Sequence, residues 1–296
     1  MIKTNYHTHT NFCDGKTTAE KMVISAIEKK FDILGFSSHT AYPYKSSWHL
    51  NPNKHKDYVA EILRLKESYR NKLELCLGFE ADYLPLVCTP DKSRFEEFNP
   101  DYVIGSVHYV VNLDAPEKKG FPQEESDIPV NCFSIDSFTE EVQQGIDLLF
   151  DGDGKKACQS YFALVREMIT SFNFDIIGHL DILRKRNNQL KFFDENSQWY
   201  KNEIEATAKT ISKSGKIVEI NYGGIARGSL MDTYPSIDFL KKLKTFDIPI
   251  TINSDAHNFD HIDTGYEIAI KNAISAGYSE TQYLSKGKWH SQKIDF

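Results

Sequence analysis

Histidine and carboxylate residues recur along this chain at the places where short apolar runs end. His7 and His9 are separated by one residue, which puts both imidazoles on the same face of an extended strand, close enough to bind one cation. Such a pair is often only a packed, hydrogen-bonded feature of a strand, so its spacing alone favours no function. The interpretation changes because further ligand-type residues follow later runs, namely Asp14, His39, Glu80, His108, His179, Asp255 and His257.

Seven β-branched or aromatic runs alternate with longer segments of helical periodicity, a pattern typical of repeated βα units around a parallel sheet. The predicted strands are 2–8, 33–38, 74–80, 102–108, 174–179, 217–222 and 248–254. The predicted helices are 18–30, 55–70, 137–149, 157–172, 197–213, 235–245 and 261–276.

The segment 112–156 is the least regular part of the chain. Its two polar, turn-rich stretches, DAPEKKGFPQEESDIP and FDGDGKK, are predicted to form loops on either side of the helix 137–149. No linker, repeat or low-complexity segment separates the predicted elements, so residues 1–296 are expected to form one domain.

The carboxyl ends of the strands of a parallel barrel lie around one mouth, where catalytic residues gather. We therefore expect the nine His, Asp and Glu side chains to converge there. Imidazole and carboxylate ligands without thiolates suit zinc, manganese or iron better than calcium or magnesium alone. Nine side chains are too many for one ion, so the sequence predicts two or three divalent transition-metal ions.

The overall composition limits the partners and the compartment. The chain carries a formal charge of −7 and lacks long Lys/Arg runs, so we expect no binding to nucleic acid or to acidic membrane surfaces. No apolar stretch approaches the roughly 18 residues of a membrane span, and the first residues do not resemble a signal peptide. Five cysteines without a CxxC spacing fit reduced thiols, so the predicted location is cytoplasmic. The oligomeric state stays open.

Several short motifs around the ligand-type residues are similar to those of one known family. The motifs are His7-Thr8-His9, Asp14-Gly15, Ser38-His39, Gly78-Phe79-Glu80, Gly105-Ser106-Val107-His108, Gly178-His179-Leu180-Asp181 and Ser254-Asp255-Ala256-His257. Together they resemble the PHP (polymerase and histidinol phosphatase) superfamily, and the resemblance covers residues 7–257. Three further runs resemble its histidinol-phosphate phosphatase branch: Glu80-Ala81-Asp82-Tyr83, Asp181-Ile182-Leu183-Arg184 and Tyr234-Pro235-Ser236.

The resemblance implies an α/β fold, namely a distorted seven-stranded (β/α) barrel of PHP type that holds a trinuclear metal site. It implies three ligand sets: His7, His9, Glu80 and Asp255 for the first ion; Glu80, His108 and His179 for the second; and Asp14, His39 and His257 for the third. The family often has Asp where this chain has Ser38, and a Thr-Ser pair where this chain has Tyr222-Gly223. Both departures concern ligand orientation and substrate contacts more than the ligands themselves.

The activity implied by the resemblance is hydrolysis of L-histidinol phosphate to L-histidinol and phosphate, a step of histidine biosynthesis. A hydroxide that bridges two metal ions would attack phosphorus, because metal binding lowers the pKa of water to about 7. Asp255 or a water molecule on the third ion would protonate the leaving alkoxide. The predicted catalytic residues are Glu80, Asp255 and His257.

The substrate of such a site would be a small-molecule phosphate ester, which three divalent ions would attract although the protein is acidic overall. Arg184 and Arg227 follow the fifth and sixth predicted strands and could bind phosphate oxygens, with Arg186 as a substitute for Arg184. A surface salt bridge is the alternative for either arginine. Asp82 could bind the substrate amine or orient a ligand.

Three other functions stay open on the sequence. The same metal site could hydrolyse another phosphate ester, such as a nucleotide or sugar phosphate; it could serve assembly as a non-catalytic PHP module; or it could belong to an amidohydrolase-like enzyme with two ions. Asp181 is expected to support a ligand or to cap a helix. The remaining histidines are expected to be exposed and away from the strand ends, and they are His49, His55, His261 and His290.

Overall fold

Seven parallel strands form the centre of the structure and follow one another in chain order. The structure, a computed structural model, describes residues 1–44, 46–115 and 131–295. Its strands are β1 (Thr4–Asn5), β2 (Ile33–Phe36), β3 (Glu74–Asp82), β4 (Tyr102–Ser106), β5 (Tyr109–Val111), β6 (Cys132–Ser134), β7 (Ile176–Ile177), β8 (Ile217–Asn221), β9 (Ile250–Asn253), β10 (Glu280–Ser285) and β11 (Lys288–Lys293). The seven-stranded sheet has the order β1-β2-β3-β4-β7-β8-β9. All six pairings between its neighbours are parallel.

The α-helices of the described ranges pack around this sheet. They are α1 (Ala19–Glu28), α2 (His55–Tyr69), α3 (Thr139–Phe150), α4 (Gly154–Ser171), α5 (Arg184–Leu190), α6 (Gln198–Ile211), α7 (Gly223–Ala226), α8 (Ile237–Thr245) and α9 (Tyr266–Ser275). Thr18, Asp153 and Ser236 begin α1, α4 and α8, because each side chain accepts a hydrogen bond from a backbone N–H of the first turn. Within these ranges, no helix has both the length and the apolar character that crossing a bilayer requires.

The barrel is nearly closed where the first and last parallel strands meet. The backbone N–H of His9 donates to the carbonyl oxygen of Ala256 at 2.9 Å. Asn5 Nδ2 donates to Ser254 Oγ at 2.5 Å. These four residues form the seam of the barrel, where side chains replace part of a backbone ladder and bring the chain after β1 beside the chain after β9.

A small apolar core lies near the amino ends of the barrel strands. Its members are Tyr6, Ile33, Cys76, Tyr102, Ile104, Ile176 and Leu284. Leu284 belongs to the antiparallel hairpin β10–β11, and its backbone N–H donates to Tyr6 Oη at 2.7 Å. The ring of Trp289 packs edge-on against Tyr6, with 5.4 Å between the ring centroids. This hairpin covers the amino end of the barrel and leaves the carboxyl end for a site.

A second hairpin, β5–β6, follows β4 at the carboxyl end. Its strands pair antiparallel, from Tyr109 with Ser134 to Val111 with Cys132. Just beyond β6, the backbone N–H of Ile135 donates to the carbonyl oxygen of His108 at 2.8 Å. The hairpin therefore returns the chain after β6 to the barrel mouth beside His108.

The structure confirms the predicted barrel of seven strands and all seven predicted helices, with limits that differ by a few residues. The paired strands are shorter than predicted, because segments such as 6–8, 37–38 and 107–108 leave the sheet at its carboxyl end. The two hairpins and the short helices α5 and α7 were not predicted.

The predicted loop FDGDGKK is wrong in extent. Phe150 still belongs to α3, and Gly154 already begins α4, so only the three residues between them connect the helices. Asp153 caps α4 by accepting from the backbone N–H of Lys156 at 3.1 Å. The other predicted loop, DAPEKKGFPQEESDIP, lies almost entirely outside the described residues.

Gly35 and Gly78 make room for the ring of Tyr102. A Cβ on Gly78 would lie 2.4 Å from Cζ of that ring, and the hydroxyl is fixed because it donates to the carbonyl oxygen of Phe36 at 3.0 Å. We expect Gly78→Ala to lower the free energy of unfolding by about 1–3 kcal/mol, measured by urea denaturation. In a Tyr102→Leu background the same substitution should cost less, and an equal cost in both backgrounds would contradict this packing.

Candidate metal centre

All nine predicted metal ligands lie at the carboxyl end of the barrel, where the structure brings them into three donor groups, two of which share His9. The groups are His9, Asp14, His39 and His257; His7, His9 and Asp255; and Glu80, His108 and His179. Within each group the ligand atoms all lie within 4.8 Å of one another. Each group offers enough donors for an ion of its own, and His9 belongs to two of them.

The carboxylate of Glu80 joins the groups. Its Oε1 lies 2.9 Å from Nε2 of His179 and 3.6 Å from Nε2 of His108. Its Oε2 lies 3.0 Å from Nε2 of His7 and 3.1 Å from Nδ1 of His39. One oxygen thus faces one group while the other faces the remaining two, which is the geometry that a bridging ligand requires.

Two aspartates complete the other groups. Oδ1 of Asp255 lies 3.2 Å from Nε2 of His9. Oδ2 of Asp14 lies 3.0 Å from Nε2 of His257, and its Oδ1 lies 3.9 Å from Nε2 of His39. Asp255 adopts a φ of +50°, a left-handed conformation that Asp tolerates better than most residues and that is common at functional sites.

The spacing and the chemistry of these donors fit divalent transition-metal ions. Two ligand atoms about 2.0–2.2 Å from one tetrahedral zinc ion lie roughly 3.3–3.6 Å apart. The distances given above between imidazole nitrogens and carboxylate oxygens lie around these values. His9 Nε2 and His39 Nδ1 are buried, yet neither forms a hydrogen bond within the described part of the chain. Metal-binding atoms that converge without hydrogen bonds to one another are expected where an ion binds between them. A set of imidazole and carboxylate ligands suits zinc, manganese or iron.

Two further carboxylates orient the ligand imidazoles. Glu219 in β8 is fully buried, and its Oε2 lies 2.9 Å from Nδ1 of His7. Oδ1 of Asp82 lies 2.7 Å from Nδ1 of His108. When each carboxylate accepts the Nδ1–H, Nε2 of the same ring is left as the donor atom that faces the centre. Sequence reasoning missed Glu219, although a charged residue inside the apolar strand IVEIN was a usable signal.

The structure places Asp82, for which a substrate contact or the orientation of a ligand was predicted, behind His108 and outside the lining of the cavity. Its Oδ2 accepts from Tyr42 Oη at 2.5 Å and lies 3.3 Å from Nε2 of His49. The alternative role, orienting a ligand, agrees with these contacts. His49 is buried against this carboxylate, so its predicted exposure is wrong.

The other three histidines lie outside the three groups, as predicted. His55 is half-buried with its ring stacked on Phe98 at 5.5 Å, His261 is half-buried, and His290 is exposed.

Burial and neighbouring charges shift the protonation of the centre. Burial opposes ionisation of Glu80, but His7 and His39 hold its pKa well below the ordinary value. Burial also opposes ionisation of Asp255, whose pKa is held well below its usual range by Arg227 and His7. Both groups are therefore carboxylates at neutral pH, ready to act as ligands.

The imidazoles respond in opposite directions. Burial alone would lower the pKa of His7, but Glu219 and Glu80 raise it well above the ordinary value. Burial would likewise lower the pKa of His108, which Asp82 raises to about 10. For His39 burial dominates and lowers the pKa to about 3. Without metal, protons are therefore held on His7 and His108 at neutral pH.

A cavity of about 290 Å³ opens over the three groups, a size that suits a small molecule. Ligand side chains form part of its lining. The other lining residues are Trp48, Ser134, Asp136, Ser137, Ile182, Lys185 and Arg227. The hairpin β5–β6 and the start of α5 thus contribute to the cavity together with the strand ends.

Arg227 lies where the sequence predicted a substrate contact. It lines the cavity, and its Nη2 donates to Oδ2 of Asp255 at 2.8 Å. Its Nη1 donates to the carbonyl oxygen of Asp255 at 2.7 Å. Arg227 is therefore held beside a ligand with its charge at the edge of the cavity, and Lys185 provides a second cation in the lining.

Arg184, for which a substrate contact was predicted, is not among the residues that line the cavity. Its Nε donates to Glu195 and its Nη2 to Asp232, each at 2.8 Å. Arg186, the suggested substitute, donates to backbone carbonyl groups of the chain after β6. Asp181 accepts at 3.0 Å from the backbone N–H of the residue that begins α8, so it supports a helix start as expected.

Known proteins are similar to this chain in sequence and in fold. A family model described as PHP domain matches residues 5–223. The chain belongs to the PHP domain family. A probable histidinol-phosphatase of Deinococcus radiodurans is 26% identical to this PHP protein over 281 residues, which are 92% of each chain. The histidinol-phosphatase of Bacillus subtilis is 22% identical and is matched over 98% of its length and 90% of this chain.

A solved structure supports the fold of this PHP protein. The crystal structure of a putative histidinol phosphatase from Listeria monocytogenes has a TM-score of 0.74 at 23% identity, and the match covers 90% of this chain and 99% of that one. At this identity the likeness establishes the barrel fold, while the site rests on the geometry above.

The contact of Glu219 with His7 predicts an effect on metal affinity. Glu219→Gln keeps the size of the side chain but removes the carboxylate that fixes Nδ1–H of His7, so we expect metal affinity to fall by about 10- to 100-fold. Competition with a chromophoric chelator would measure this. Glu267→Gln, on the exposed start of α9, is the matched control and should bind metal normally. Unchanged affinity in a folded Glu219→Gln protein would contradict the orienting role.

The raised pKa values of His7 and His108 predict that metal binding releases protons. Both rings are protonated at pH 7 without metal and must lose a proton to become ligands, so adding zinc should release at least these two protons. The release should decrease toward pH 10, where His108 already loses its proton. Calorimetric titration in buffers of different ionisation enthalpy would count these protons, and a heat independent of the buffer at pH 7 would contradict the proposed protonation states.

Proposed function

We propose that this protein is a metal-dependent histidinol-phosphate phosphatase, which hydrolyses L-histidinol phosphate to L-histidinol and phosphate. The observation that carries the proposal is the complete set of three donor groups arranged around Glu80. Similarity over about nine tenths of the chain to proteins named histidinol-phosphatase supports the choice of substrate. A similar crystal structure from Lactococcus lactis, with a TM-score of 0.65 at 20% identity, contains zinc, L-histidinol and phosphate.

The three donor groups would hold two or three divalent ions. Because the ligand atoms belong to imidazoles and carboxylates, these ions would be zinc, manganese or iron. When bound, such ions act as Lewis acids toward phosphoryl oxygens and lower the pKa of water to about 7. Glu80 would hold two of the positions together through its separate oxygens. The proposal treats residues 1–296 as one PHP domain.

Two cationic side chains of the cavity suit a phosphate ester. Arg227 and Lys185 line the cavity as cations, and a guanidinium or ammonium group binds phosphate oxygens by charge-assisted hydrogen bonds. Arg227 also fixes Asp255 through two hydrogen bonds. Asp255 is a carboxylate at neutral pH, which suits it as a ligand, and it or a water molecule at the donor group that contains Asp14 is the candidate to protonate the leaving alkoxide.

Phosphate release tests the proposal directly. With added zinc or manganese, we expect kcat/KM for L-histidinol phosphate to exceed that for p-nitrophenyl phosphate, a nucleotide and a sugar phosphate by more than about tenfold. Asp255→Asn should lower kcat by about 100-fold or more, since it removes a ligand and a proton carrier. Equal rates on all the esters would indicate another substrate, and inert metal-loaded protein would indicate a non-catalytic module.

A further inference from the structure

The lining of the cavity contains a carboxylate that the metal centre does not use. Four carboxylate side chains line it among the residues that the structure describes, and Asp14, Glu80 and Asp255 belong to the three donor groups. The fourth, Asp136, lies two residues beyond β6 and belongs to none of them. Its side chain is 23% exposed, so it can be reached from the cavity.

Several contacts fix Asp136 in place. Lys185 Nζ donates to its Oδ2 at 2.8 Å, and Ser134 Oγ donates to its Oδ1 at 3.0 Å. Nη2 of Arg186 donates to its backbone carbonyl oxygen at 3.2 Å. The preceding residue bonds to the carbonyl oxygen of His108, which ties the segment to the barrel mouth. Asp136 is thus held between α5 and a metal-ligand residue.

Asp136 keeps both its charge and some hydrogen-bonding capacity. Burial opposes its ionisation, but Lys185 and His108 hold its pKa below the ordinary value, so it is a carboxylate at neutral pH. The two oxygens of a carboxylate offer roughly four acceptor positions, and within the part of the chain that the structure describes the contacts with Lys185 and Ser134 occupy two of them. A further cationic donor can bind without displacing either partner.

We propose that Asp136 binds the α-ammonium group of L-histidinol phosphate and makes the site selective for amine-bearing phosphate esters. The inference rests on the proposed function and extends it. With the phosphate beside the donor groups and Arg227, the amine sits one carbon from the phosphorylated CH₂ group and therefore also lies inside this cavity, which Asp136 lines. Asp136 is the lining carboxylate that is free to meet it, and charge-assisted hydrogen bonds of this kind are the strong ones.

Two substrates that differ only in the amine test this role. The second is 3-(imidazol-4-yl)propyl phosphate, which has hydrogen in place of the amino group of L-histidinol phosphate. The metal-loaded wild-type protein should prefer the amine-bearing ester, and Asp136→Asn should lower the ratio of the two kcat/KM values by about 10- to 100-fold. Asp247→Asn, at an exposed turn far from the cavity lining, is the matched control and should keep the wild-type ratio.

The outcomes separate the inference from the proposed function. If the wild-type protein hydrolyses both esters with equal kcat/KM, the ammonium group is not recognised and the inference is wrong, whether or not Asp136→Asn folds. An unchanged ratio of the two kcat/KM values in the folded variant, with both activities reduced alike, would make Asp136 a positioning residue for Lys185. That result would also overturn the inference. Failure to hydrolyse either ester, with activity on other phosphate esters, would overturn the proposed function and the inference together.

Discussion

The carboxyl end of this barrel depends on one buried carboxylate surrounded by imidazoles. Glu80 is 1% exposed, and an unpaired charge at such a position would cost several kcal/mol. His179 and His7, at 2.9 and 3.0 Å from its two oxygens, offset that cost, and among the described residues no lysine or arginine forms an ion pair with it. Its position is secure because β3, the longest of the parallel strands, pairs on both sides with β2 and β4.

The interior of the barrel changes character along its axis. Near the amino ends it is apolar, around Tyr6 and Tyr102. Toward the carboxyl ends it becomes a hydrogen-bonded polar layer, in which Glu219 accepts from Nδ2 of Asn221 at 2.8 Å and of Asn253 at 3.0 Å. Such a layer adds little hydrophobic stabilisation, so the stability of the fold comes chiefly from the larger apolar core between the strands and the helices.

The convergence of the nine His, Asp and Glu side chains could be predicted from the sequence because a parallel barrel converts a one-dimensional pattern, polar residues after apolar runs, into one location. The supporting residues could not be predicted in the same way. Asp136 reaches the mouth through a hairpin that neither length nor periodicity indicated, and His49 is buried by a loop contact with Asp82. Arg184 and Lys185 are adjacent, and which of them faces the cavity depends on how α5 is rotated by its ion pairs.

The seam determines at which stage of synthesis and folding the complete site can form. Asn5 and Ser254, which bond across it, are 249 residues apart. His9 belongs to two donor groups, and each of them also needs Asp255 or His257 from the far side of the seam. During synthesis from the amino end, neither of these two groups is therefore complete until the last barrel strand has been made and has joined the first. The two groups that contain His9 are therefore a property of the closed barrel and do not exist before β9 has joined it.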